Sequence, residues 1–212
     1  MSRDRKVKYR FFIVDIEKEQ EFIDSYREKG YKLESVNNNT GRYVFKKADG
    51  EFIPKVRIDY HEIASNDEYQ NYISMFEDAG WKLIRGSKIE GTHYFEQVDE
   101  NTSDELFSDN QSLAGLYKRL YGYTINWMFI SLALLLPAIH TVNFKMLFEN
   151  PKELYFTPGL WEMKGTRFLR AFLFETPFVM FRNCAPFLLI ICIVSCIFCA
   201  IKVKKKEKQY SA

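Results

Sequence analysis

The stretch "GYKLESVNNNTGRYVF", from Gly30 to Phe45, returns fifty positions later as "GWKLIRGSKIEGTHYF", from Gly80 to Phe95. At that offset Ile23 meets Ile73, Lys32 meets Lys82, Leu33 meets Leu83 and Gly41 meets Gly91. Phe22 meets Tyr72, Tyr26 meets Phe76 and Tyr31 meets Trp81, so aromatic character persists where identity does not. A chain that writes one half twice is restricted to folds in which two copies of that half pack on each other.

Each half is legible. Tyr69, Tyr72, Ile73 and Phe76 follow the i, i+3, i+4, i+7 stripe of an amphipathic helix. Ser65 with Glu68 has the spacing of a capping box at its start. Gly80 ends it, because glycine accepts the left-handed conformation common after a helix. In the first copy Phe22, Ile23 and Tyr26 form the stripe and Gly30 the stop. "YKLESV" and "WKLIRG" then alternate as strands, and turns at Gly41 and Gly91 lead to "RYVFK" and "THYFE". "KYRFFIV" supplies a strand before the first helix and "KVRIDYH" one before the second. The latter places Val56, Ile58 and Tyr60 on one face and Arg57, Asp59 and His61 on the other. The predicted fold is α+β: a domain over 1–98 made of two strand–helix–strand–strand repeats, 8–47 and 55–98. Their strands are expected to join in antiparallel or mixed sheet, with both helices packed on it and a pseudo-two-fold between the halves.

The rest of the chain has a different composition. Residues 1–120 carry 19 Lys/Arg against 23 Asp/Glu, and residues 121–212 carry 11 against 5. No Asp, Glu, Lys or Arg occurs in 121–144 or in 183–201. Roughly 20 apolar residues cross the ~30 Å hydrocarbon core as a helix, so both runs read as transmembrane helices forming a hairpin. Pro137 is compatible with a span. The acidic segment 99–120 reads as a flexible linker and juxtamembrane stretch. The loop 145–182 contains Tyr155 and Trp161, suited to a membrane interface. Its part from Gly165 to Arg182 reads as an amphipathic segment at the outer surface, with a re-entrant segment as the alternative. Pro177 is expected to break or kink it. The tail 202–212 carries Lys202, Lys204, Lys205, Lys206 and Lys208, an inside anchor under the positive-inside rule. "MSRDRKVKYR" has no apolar stretch of a signal peptide. The expected placement is therefore a multi-pass cell-membrane protein with both termini cytoplasmic. The four cysteines, Cys184, Cys192, Cys196 and Cys199, all lie in or beside the second run. Their absence from the first 183 residues fits a reducing compartment, and Cys192, Cys196 and Cys199 form a stripe suited to packing on a neighbouring helix.

The segments "YRFF", "GYKLESV", "YVFK", "RIDYHE", "YQNYISMFEDAGWKL" and "YFE", in this order, resemble an uncharacterised bacterial family, domain of unknown function 2812. The resemblance covers about residues 8–120. It implies a cytoplasmic domain followed by membrane helices, often encoded beside regulators of the PadR type, and it brings no enzymatic residues. The duplicated unit also looks like the effector-binding domains of multidrug-responsive regulators, whose cleft between halves takes small, often cationic, hydrophobic molecules. An acidic residue among aromatic faces suits a cation. Tyr31, Tyr43, Asp59, Trp81 and Tyr94 are the candidate cleft residues on that analogy.

No glycine-rich phosphate loop, nucleophile elbow or paired catalytic motif is present. His61 and His93 have no cysteine near them, too few ligands for a catalytic zinc, so neither metal nor cofactor is expected. The basic residues Arg3, Arg5, Lys6, Lys8 and Arg10 read as a solvated terminus entering the first strand, with anionic lipid as a second possibility and no direct nucleic-acid contact expected. Three functions follow, none enzymatic. The first is a membrane regulator or adaptor whose cytoplasmic domain binds a protein partner such as a transcriptional regulator. The second is a membrane-anchored sensor of a small hydrophobic or cationic ligand between the repeats. The third is an accessory subunit of a transporter or envelope-stress system. The lipid bilayer is a partner in all three.

Overall fold

The computed structural model describes residues 4–48, 50, 52–88, 90–142 and 149–211. Their order is β1 (Arg5–Tyr9), α1 (Ile16–Arg27), β2 (Tyr31–Asn37), β3 (Arg42–Lys47), β4 (Val56–Tyr60), α2 (Asn66–Asp78), β5 (Trp81–Arg85), β6 (Thr92–Gln97), α3 (Asn110–Thr141) and α4 (Gly165–Tyr210). The chain divides into two compact units, Met1–Gly122 with Lys202–Ala212, and Tyr123–Ile201.

The first unit is α+β and each repeat is strand–helix–strand–strand. The strands form two separate antiparallel sheets, ordered β1-β3-β2 and β4-β6-β5, rather than one joined sheet. In each the last strand of the repeat is central. It can pair with both others because a tight turn at Gly41 or Gly91 reverses the chain beside its neighbour. β1 also starts earlier than "KYRFFIV" suggested, so Phe11 to Val14 lie beyond the strand.

The duplication extends to individual hydrogen bonds. The register slips between Leu33 and Ser35 in one copy and between Leu83 and Arg85 in the other. The Gly30 carbonyl accepts from the Ala48 amide at 2.9 Å, and the Gly80 carbonyl from the Val98 amide at 3.0 Å. The Arg10 amide donates to the Gly41 carbonyl at 2.8 Å, and the His61 amide to the Gly91 carbonyl at 2.7 Å. Gly30 and Gly80 share φ +83°, the left-handed region that costs other residues about 1–2 kcal/mol. Gly41 is tighter than Gly30. A Cβ on Gly41 would sit 2.6 Å from the Arg10 carbonyl oxygen, whereas one on Gly30 meets nothing within 4 Å. Gly30→Ala is thus expected to cost about 1 kcal/mol. Gly41→Ala should cost more, because backbone must move, and denaturation midpoints of the two variants test this order.

α1 and α2 have different surroundings, which a strict two-fold arrangement would not give. α1 lays Phe22 and Tyr26 on Tyr43 and Phe45, with ring centroids 5.2 and 4.2 Å apart for the closest pairs. Its other side covers the edge strand β4: Gln20 Oε1 accepts from the Ile58 amide at 2.9 Å, and Asp24 pairs with Arg57 at 3.1 Å. An edge strand so covered has no free ladder to offer another chain. α2 packs Tyr72 and Phe76 on Phe95, with Ile63 and Trp81 completing the core and Leu106 and Phe107 laid against it. Ser65 occupies the N-cap with extended backbone but makes no side-chain capping bond, so the predicted capping box is not formed.

Residues 99–109 are not the free linker their acidity suggests. Gln97 Nε2 donates to the Thr102 and Ser103 carbonyls, and Lys55 and Arg57 pair with Asp104 and Glu105. α3 begins at Asn110, and Leu116, Tyr117 and Leu120 are buried in the first unit. These ion pairs and the Gln97 amide hold the middle of the acidic stretch on the domain.

The second unit is built from the apolar parts of α3 and α4. Both helices are long and apolar enough to cross a membrane. α4 runs 46 residues without a break through Pro177 and Pro186, so the amphipathic segment and the second span are one helix. Its length, about 70 Å at 1.5 Å per residue, is twice what a bilayer core needs. Ser131 Oγ lies 3.3 Å from Cys192 Sγ, which places one cysteine of the stripe against α3. Between the helices, Glu175 accepts from the amides of Phe156 and Thr157, and Trp161 Nε1 donates to the Lys152 carbonyl at 3.1 Å. Residues 143–148, part of the predicted first span and loop, lie outside the described residues.

Candidate functional site

All five residues of β4 are buried, and Asp59 is 1% exposed. A carboxylate taken out of water needs partners, and two distant segments bring them. Tyr72, on the inward stripe of α2, donates its hydroxyl to Asp59 at 2.7 Å. Arg119, in the third turn of α3, donates Nη2 to Asp59 at 2.8 Å and Nε to the Tyr60 carbonyl at 2.6 Å. The guanidinium therefore fastens the start of α3 to β4 through two directed bonds.

Between α2 and those first turns of α3 lies an open cavity of about 800 Å³. Asp59, Tyr72 and Phe76 form its inner side, Met75 and Phe107 add apolar wall, and Glu68 and Asp109 stand among its polar lining. Met75 is 57% exposed although it sits on a packed helix. Asp59 is matched by Arg119, so Glu68 and Asp109 leave the cavity with excess negative charge. The Ser112 amide and hydroxyl, 2.7 and 2.8 Å away, hold the Asp109 carboxyl below the usual carboxylate range. His61 also lines the cavity, its pKa lowered by burial and then by Arg119. Among the described residues, no group of three or more His, Cys, Asp or Glu is arranged to hold a metal ion.

The five candidate cleft residues do not share one cleft. Asp59 lines the α2–α3 cavity. Trp81, 1% exposed, is part of the second core. Tyr31 is half-buried, with the Lys6 ammonium 4.0 Å from its ring centre. Tyr43 and Tyr94 are buried and converge on Glu19 Oε1, at 2.6 and 2.5 Å. The groove that does lie between the repeats, about 470 Å³, is lined by Lys32, Lys46, Lys47 and Lys82 with Glu96. That field attracts an anion and repels the cation suggested by analogy.

Glu19 is a consequence of the asymmetry of α1. Tyr43 reaches it from the sheet below, and Tyr94 from the other repeat. Burial raises its pKa, against the lowering effect of the two phenol hydrogen bonds. A carboxyl with a raised folded-state pKa contributes stability that is full below its ordinary value, 4.5, and is lost as pH rises through the folded value. Glu19→Gln keeps an acceptor and removes the charge. The stability of this variant relative to the parent is expected to increase with pH across the window above 4.5, read from denaturation midpoints at several pH values.

Arg119, Glu19 and Met75 belong to no motif that marks them in the sequence. Arg119 registers only as one of two basic residues before an apolar run, and its partner is sixty positions away. Tyr72 reads as one residue of a helix's apolar stripe, which hides the use of its hydroxyl.

A known family matches the chain over residues 15–130; its description is a protein of unknown function (DUF2812). The matched stretch contains every residue that lines the α2–α3 cavity. No curated protein and no solved structure matches.

Proposed function

The chain belongs to the DUF2812 family of proteins of unknown function, and from that premise and its own geometry we propose a membrane-anchored, non-enzymatic docking domain. Its α2–α3 cavity takes a segment of a cytoplasmic protein partner, such as a transcriptional regulator. The observation that carries this reading is the cavity's combination of an exposed Met75 with a fixed inner side. Asp59, Tyr72 and Arg119 are locked by mutual hydrogen bonds before anything binds, so little ordering remains to be lost on association. A segment presenting an apolar side chain beside a Lys or Arg complements Met75 and Phe107 on one hand and Glu68 and Asp109 on the other.

The anchor is the pair of long apolar helices. Only 17% and 11% of their most apolar windows are buried by protein. A core helix of a water-soluble protein would be mostly covered; Phe181 and Phe198 are 77% and 74% exposed. Lipid is the medium that accepts such surfaces. The five lysines of 202–208 favour the cytoplasm for the tail and for the domain that shares its unit.

A test uses the full chain in nanodiscs and an extract of the cells that make it. The parent is expected to retain one stoichiometric protein. Glu68→Lys with Asp109→Lys should release it, while Lys18→Glu, on the outer side of α1, should not. Equal retention by the cavity variant would dismiss the docking site, and a rise in melting temperature with small molecules instead would favour the sensor.

A further inference from the structure

Three side chains at alternate positions after the middle of β1 are bare: Tyr9, Phe11 and Ile13 are 68, 67 and 70% exposed. Alternate exposure of large apolar groups beside a packed sheet is wasteful in water. Exposed Lys8 and Arg10 interleave with them. The segment ends at Val14, a β-branched residue at φ +56°. That conformation is an outlier for valine and is held only where the surroundings insist on it.

The next residues fix where this segment lies. Asp15 pairs with Lys202, and Glu17 with Lys206 at 2.8 Å. Tyr117 also donates to Glu17, at 2.9 Å, and stacks on Tyr210. Stepping from Glu17 back to Asp15 moves the pairing from Lys206 back to Lys202, the first charged residue after the apolar run. Ile13 is two residues before Asp15, within ~7 Å of chain.

We propose that Tyr9, Phe11 and Ile13 form an interfacial wedge that dips into an anionic bilayer surface, with Lys8 at the lipid headgroups. The inference rests on the membrane reading above. Aromatic and aliphatic side chains interleaved with basic ones suit the headgroup boundary, where rings prefer to sit and anionic lipids attract Lys and Arg. The wedge gives the domain a second membrane contact besides its covalent one, and so fixes its orientation on the surface.

The test places a photoreactive diazirine residue at one position of the full chain in phosphatidylcholine–phosphatidylglycerol nanodiscs and measures lipid adducts by mass. The positions are Phe11, Ile190 and Val98. Val98 is 59% exposed but lines the groove with Lys47 and Ala48, at the end of β3 away from Gly41. Phe11 is expected to give lipid adducts several-fold above Val98. Adducts at Ile190 with none above background at Phe11 would overturn the wedge and leave the membrane reading standing. Failure at Ile190 as well would overturn both. Adducts from Phe11 to a second copy of the chain would overturn the lipid assignment in favour of self-association.

Discussion

Trp81→Ala is expected to destabilise the duplicated domain by about 3–5 kcal/mol, the range for emptying a large aromatic site in a packed core. Trp81 begins β5 immediately after the left-handed Gly80, so its indole has no freedom to leave the core without unwinding that turn. It is 1% exposed and packs with Ile63, Tyr72, Phe76 and Phe95, the last of which is 0% exposed. Small domains have total stabilities of only about 5–15 kcal/mol, so the variant should lose much of its cooperative melting. Tyr31→Ala, at the matching position of the first repeat, should cost far less, because Tyr31 is half-buried. Near-equal losses for the two would contradict the asymmetry of the repeats. Circular dichroism of the full chain in nanodiscs during heating reads both.

Arg119→Ala is expected to cost about 3 kcal/mol, because removing the part-exposed guanidinium strands the charge of the buried Asp59. Asp59 would keep the Tyr72 hydroxyl, and the Tyr60 carbonyl would lose the Arg119 Nε donor. The start of α3 would no longer be fastened to β4, so the cavity would open on that side. Asp59→Asn in the Arg119→Ala background should recover part of the loss, since the stranded charge is gone. A double-mutant cycle separates the coupling from the two single costs. Additive costs would show that Arg119 and Asp59 do not act as a pair.

These two sites show how much the sequence disclosed. The helix stripes, the glycine stops and the strand after each glycine are local patterns, set by backbone geometry within a few residues. They were legible, and the fifty-residue offset made the duplication legible too. What lay beyond reach depends on contacts between distant segments. Glu19 sits in the run "IEKEQE", which reads as a solvated helix face, yet Tyr43 and Tyr94 close over it from two sheets. Tyr and Trp suit a cleft rim as well as a core, and only packing assigned Trp81 to the core and left Asp59 facing a cavity. The acidic run 99–109 reads as free because Lys55 and Arg57, which pair with its Asp104 and Glu105, are some fifty residues earlier.

The central claim is that the α2–α3 cavity holds a protein segment in the cell. The most direct measurement replaces Met75 with the photo-cross-linking residue benzoylphenylalanine in living cells expressing the full chain. After irradiation, a discrete higher-mass adduct of membrane-bound protein is predicted from position 75, absent from the same substitution at Lys18 and weakened by Asp109→Lys. A Met75 position that yields no protein adduct, or one indistinguishable from Lys18, would contradict the claim.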